Sequence, residues 1–150
     1  MPYPGISAEY EPYVLKGYQY GTLVLHTDQR YLGRAYWWLS RKGTMQRFSN
    51  LWAGELVELQ LVLQRYELAL EQLWSPHHMN YAWLGNFFHK HEGHGHMHII
   101  PRYHEPREFV GVQFVDENWG LNYTPYKGFP LPDEKLFLIC DALRDTLQSK

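Results

Sequence analysis

The sequence predicts an α+β domain: an antiparallel sheet with one long helix packed on it and a second helix near the C-terminus. Three observations carry this. Short apolar runs bounded by turn residues recur on both sides of a single long helical stripe. At 150 residues, with 45% hydrophobic, 17% aromatic and 20% charged residues, the chain has the composition of one globular domain spanning 1–150. After a turn-rich segment, the C-terminal extension 120–150 carries a second, shorter apolar stripe.

In chain order, Met1–Pro12 reads as a Pro- and Tyr-rich lead-in. Gly21–His26 ("GTLVLH") reads as a strand, "TDQRYLG" as a turn, and Arg34–Ser40 ("RAYWWLS") as the next strand. The strand alternation puts Trp37 and Trp38 on opposite faces, one of them toward the core. Ser49 and Asn50 offer N-cap side chains to the long helix. In that helix Trp52, Leu56, Leu59, Leu63, Tyr66, Leu70 and Leu73 recur at gaps of four and three, forming one stripe. "SPHHM" ends it, with His77 and His78 suited to the helix C-terminal dipole. Asn80–Phe88, His94–Ile100 and Glu108–Phe114 are the remaining strands, the second closed by Pro101. Asp133 caps a last helix whose stripe is Leu136, Ile139 or Cys140, Leu143 and Leu147.

Several function classes are excluded as expectations. A net charge of −2 gives no electrostatic footprint for nucleic acid or an anionic membrane. The single Cys140 makes no intrachain disulfide and reads as a small core residue. The N-terminus lacks the basic and apolar regions of a signal peptide. The longest apolar region, Leu56–Trp74, is broken by Glu58, Arg65, Glu67 and Glu71, so nothing spans a membrane. A cytoplasmic location follows as the default.

The chemistry concentrates in "HKHEGHGHMHIIPRYH", His89–His104, which holds six of the nine histidines. On a strand, His94, His96 and His98 share one face, which would be the open face of the sheet, spaced roughly 6.5–7 Å apart along the chain. Gly95, Met97 and Ile99 share the other face and suit a core. Three readings compete. A neutral imidazole whose second nitrogen is held protonated is a good nucleophile toward phosphorus, and neighbouring imidazoles can bind phosphate oxygens or protonate a leaving group. Alternate histidines can instead chelate a catalytic metal. Glycine, five residues, then His-x-His would mark a double-stranded-barrel metal enzyme, but Phe88 or Lys90 stands where that glycine belongs. The third reading is a histidine-rich surface strand without chemistry.

The run His94-Gly95-His96-Met97-His98-Ile99-Ile100 resembles the signature of the histidine triad family, His-φ-His-φ-His-φ-φ with φ apolar. "PRY" after it is common in the branch acting on dinucleoside polyphosphates, and "NYAWLGN" and "LHTDQRYLGRAYWWLSRKGTMQRFSNL" resemble the family's upstream strand and opening hairpin. The resemblance covers roughly Leu23–Tyr103. It implies a nucleotide hydrolase or nucleotidyl transferase working at an α-phosphorus. His96 would be the nucleophile that forms a nucleotidyl-histidine intermediate. His98 would face the phosphate and leaving group, and His94 would orient the site largely through its backbone carbonyl. Asp28 would bond a ribose hydroxyl, and Asn80 and Asn86 would contact ribose and phosphate. As residues alone, Asp28 and Asn86 serve equally as turn residues and Asn80 as a loop end.

The resemblance further implies a nucleotide as small-molecule partner, a homodimer made by pairing sheets, and no required cofactor or metal, with Mg²⁺ as companion of a polyphosphate substrate. The sequence departs from the family at Gly95, in the segment holding His89, Lys90 and His91, and at Lys42–Gly43, where a histidine is frequent. Of the histidines before the triad, His89 or His91, or Lys90 between them, is the candidate for a missing phosphate contact. Arg102 and Arg107 are candidates for steering polyphosphate. The alternatives are a metal-dependent hydrolase or metal-binding protein using His94, His96 and His98, and a non-catalytic nucleotide sensor.

Overall fold

The computed structural model describes residues 3–42, 47–85, 93–124 and 128–148. Its centre is a five-stranded antiparallel sheet built from β1 (Val14–Gly17), β2 (Gly21–Leu25), β3 (Ala35–Leu39), β4 (His78–Trp83) and β5 (His96–Arg102), in the order β1-β2-β3-β5-β4. Helix α1 (Ala53–Leu73) connects β3 to β4, and α2 (Asp133–Gln148) ends the described chain. A separate hairpin, β6 (Arg107–Phe109) and β7 (Val112–Phe114), lies between β5 and α2. The expected α+β arrangement is the one observed. Among the described residues no helix is long and apolar enough to cross a membrane.

The sheet is covered on both faces. On one, Leu23, Leu25, Trp37, Leu39, Met97 and Ile99 pack with Leu59, Val62, Tyr66 and Leu70 of α1 and with Ile139 and Leu143 of α2. On the other, Val14, Val24, Tyr36 and Trp38 pack under Ile6. Every residue of β2 and β3 is therefore buried, and both tryptophans of "AYWWL" are interior on opposite sides. The apolar stripe of α2 matches expectation residue for residue, and the buried Cys140 thiol is pushed up to about 11 by its surroundings.

Other elements differ from expectation for local reasons. α1 buries Leu59, Tyr66 and Leu70 of the expected stripe and packs Leu63 and Leu73 against the same core, but its first turn differs: Glu55 is buried there, while Trp52 and Leu56 are 56% and 40% exposed. Glu55 is buried because its carboxylate is fully used, accepting Arg41 Nη2 and Nε at 2.7 and 3.0 Å and the Trp52 backbone N–H at 2.7 Å. Trp52 is thus the N-cap, and Ser49 and Asn50 sit in a preceding 3₁₀ turn. Asp133 is the first residue of α2, whose opening N–H groups at Lys135 and Leu136 bond to the Pro132 carbonyl. β4 begins two residues earlier than expected, and residues 86–88 of that expected strand lie outside the described residues. β5 runs through Pro101 instead of stopping before it. Pairing with β3 ends at Ile99, so the missing Pro101 N–H removes no rung there. Expected as one strand, 108–114 is a hairpin that reverses at Val110 and Gly111, with φ of 49° and 74°.

A buried imidazole row as the candidate functional site

Register places the histidines. His98 lies opposite Tyr36 and His96 opposite Trp38, so both project onto the face that carries Val24 and Tyr36. His94 precedes β5 and is fixed to the end of β3 by its Nδ1–H, which donates to the Leu39 carbonyl at 2.8 Å. The Leu39 N–H returns a bond to the Gly95 carbonyl at 2.9 Å. The rings of His96 and His98 stand 4.9 Å apart at 65°. His96 lies flat on the indole of Trp38, with centroids 5.1 Å apart and planes 12° apart. Tyr36 meets both histidines edge-on or tilted, at 5.8 and 6.0 Å.

An open face was expected for these rings, but the structure encloses it. His94, His96 and His98 are only 4%, 8% and 7% exposed. The roof is the N-terminal lead-in: Ile6 is fully buried, and Tyr10 packs on Tyr36 and Trp38. Gly5 closes over His94 so tightly that a Cβ there would stand 2.6 Å from the imidazole, at a φ of +80°. Gly5→Ala is therefore expected to cost about 1–2 kcal/mol, through both backbone strain and overlap with the ring. Thermal unfolding measures the loss, and the NMR signal of the His94 ring should shift with it.

Sequence reasoning missed His26. It extends β2 by one residue on the triad face, after Thr22 and Val24 at period two, and that alternation was the available signal. Its ring lies 6.1 Å from His98 and meets Tyr36 edge-on at 5.8 Å. Its Nδ1 accepts the Asp28 N–H at 3.0 Å, so the neutral ring carries its proton on Nε2. Burial, then the charges of Arg34 and His96, lower its pKa from 6.5 to about 3.

The remaining expected residues divide. Asp28 sits in the turn beside His26, where its carboxylate accepts the Arg30 N–H at 3.0 Å, so its visible work is turn chemistry. Asn80 is on the triad face, opposite Ile100 and one row from the Ala82–His98 pair, and its Oδ1 accepts from Arg102 at 2.7 Å. Asn86, His89, Lys90 and His91 lie outside the described residues.

Arg102 is not a surface charge awaiting polyphosphate. It is 4% exposed, and all five of its N–H groups are used. They go to both Asp116 carboxylate oxygens, Asn80 Oδ1, and the carbonyls of Asn118 and Leu121. Arg107 likewise bonds to the Trp74, Ser75, Glu105 and Pro106 carbonyls. Among the described residues no group of three or more His, Cys, Asp or Glu is arranged to hold a metal ion.

No protein-family model and no curated protein matches the chain. Solved structures do. A histidine triad (HIT) protein from Sinorhizobium meliloti superposes with a TM-score of 0.70 at 16% identity, over 94% of this chain and 95% of that one. A histidine triad protein from Bradyrhizobium japonicum gives 0.67 at 16% identity, over 97% and 99%. This is the histidine triad fold. A diadenosine triphosphate hydrolase from Plasmodium falciparum shares it with a TM-score of 0.62 at 13% identity, over 93% and 79%. Within this histidine triad fold the motif His94–His98 occupies the start of β5 and the two residues before it. The likeness of backbone and the likeness of motif are separate observations that agree.

Proposed function

We propose that the protein hydrolyses or transfers a nucleoside monophosphate group, with His96 as the nucleophile at the α-phosphorus. The observation that carries this reading is the enclosed row of three imidazoles on one strand of a histidine triad fold, with His96 in the middle. A ring nitrogen of His96 donates its lone pair to phosphorus. The bond from phosphorus to the leaving group breaks, and the leaving group departs with that electron pair and gains a proton from its surroundings. His98, beside His96, is the nearest imidazole of the triad to supply it. Water then attacks phosphorus and gives a proton back to His98, the P–N bond breaks, and its electrons return to the His96 ring. An acceptor other than water turns the same cycle into transfer.

The neighbours support this chemistry physically. The His94 bond to Leu39 anchors the start of the histidine strand. His26 contributes a neutral Nε2–H that stays neutral across ordinary pH, suited to an oxygen of ribose or phosphate. Asn80, held by Arg102 on the same face, is the contact proposed for ribose or phosphate. The covalent step needs no metal, and Mg²⁺ enters as companion of a polyphosphate substrate. A cytoplasmic homodimer acting on a diadenosine polyphosphate or a related nucleotide belongs to the same reading.

Chelator-treated protein should release AMP from adenosine phosphoramidate or diadenosine tetraphosphate, and His96→Ala should lower that rate by roughly 10³-fold or more while still binding AMP. Intact-mass analysis of quenched wild type should show the nucleotidyl adduct. A rate that survives in His96→Ala, or one that returns only with added zinc, overturns the covalent reading.

A further inference from the structure

The nucleophile proposed above does not stand alone on its strand. Its ring is stacked on Trp38, with 12° between the planes, and the indole is itself pressed from the N-terminal segment by Tyr10, 6.1 Å away at 36°. Trp38 is 3% exposed and lies opposite His96 in the β3–β5 register, so strand pairing enforces the contact. Trp37, its neighbour, is absorbed by the helical core on the other face. The stack is of the offset parallel kind, whereas Tyr36 meets His96 edge-on and His98 tilted.

The chemistry gives the stack a use. When the lone pair of His96 is committed to phosphorus while its other nitrogen keeps its proton, the ring carries a positive charge until the P–N bond breaks. An indole face is the strongest side-chain π-surface for a cation, more so where water is excluded. Before attack the ring is neutral and gains little from it. The interaction is thus stronger in the charged state than in the ground state, the kind that accelerates a reaction.

We propose that Trp38 is a positioning residue for His96, holding the ring in its attacking plane and stabilising the positive charge the ring acquires on taking a phosphoryl group. The role rests on the covalent reading above, while the stack itself can be tested without substrate. The ionisable or charged groups nearest the His96 ring are His98 and Tyr36, with His94 on the other edge of Trp38 and His26 and Arg34 beyond Tyr36.

Wild type, Trp38→Phe and Trp38→Leu are compared by two readouts. NMR titration of the His96 ring should show its pKa lower by about one pH unit in Trp38→Leu, and by less in Trp38→Phe, which keeps a π-face. Rapid-quench measurement should show nucleotidyl-enzyme formation slowed about tenfold in Trp38→Leu with KM little changed, and partly restored in Trp38→Phe. If both variants keep the wild-type His96 pKa, or if Phe and Leu are equally impaired, the indole is packing only and the proposal is overturned. If the titration shifts as expected but wild type never forms a nucleotidyl adduct, the stack stands and the covalent reading fails.

Discussion

Asp116→Asn is expected to destabilise the protein by about 3–5 kcal/mol, among the largest losses available to a single substitution here. The reason is the guanidinium it leaves behind. Arg102 is buried, and Asp116 meets it through both oxygens, at 2.6 Å from Nε and 3.1 Å from Nη2. The amide keeps the shape, removes the charge, and turns one acceptor into a donor facing another donor. The cationic side chain stays in the interior without its counter-charge. Replacing both partners with apolar residues, Arg102→Met with Asp116→Leu, should recover only part of the loss. Asn80 Oδ1 and the carbonyls of Asn118 and Leu121 would then lack the N–H groups they now accept. Urea denaturation at neutral pH measures all three proteins. A cost for Asp116→Asn below about 1 kcal/mol would mean that the pair is solvated and the cluster does not hold the 116–121 segment to the sheet.

The second large effect is an acid instability traceable to one ring. In the unfolded chain His26 takes up a proton near 6.5, and in the folded protein only near pH 3. Between those values the unfolded state binds the extra proton, so stability falls as pH falls and the contribution is complete only above about 6.5. The slope from this group is at most about 1.4 kcal/mol for each pH unit. His26→Asn, which cannot titrate, should show a correspondingly flatter stability profile from pH 6.5 downward. Urea melts of both proteins at pH 7, 6, 5 and 4 give the difference, from which the shared carboxylate titrations cancel. Equal slopes would show that the folded site accepts the proton, by admitting water or by turning the ring outward. The same burial keeps His26 a neutral hydrogen-bond donor beside His98 at neutral pH.

Legibility in the sequence tracked how local each signal is. The period-two spacing of His94, His96 and His98 identified a strand and the face its imidazoles share because alternation is a property of the backbone itself. The stripe of α2 was readable because its apolar residues are interrupted by charges on the other side. The stripe of α1 was readable from Leu59 to Leu73 but not in its first turn, where Trp52 and Leu56 are exposed. There a buried Glu55 is held by Arg41, and that pairing joins residues fourteen apart. β1 was overlooked because "VLKG" is four residues long, bulged, and preceded by proline and tyrosine.

By itself, then, the sequence determined the α+β class, the long helix, and a row of imidazoles sharing one face, all consequences of periodicity in side-chain type. Only the tertiary structure decided that this face is enclosed, that Gly5, Ile6 and Tyr10 form its roof, and that His96 lies against Trp38 with His26 close to His98. It also withdrew Arg102 from the surface and gave it Asp116. Periodicity states which side of an element is apolar. What covers that side depends on contacts between distant segments, whose free energy is not encoded at any one position.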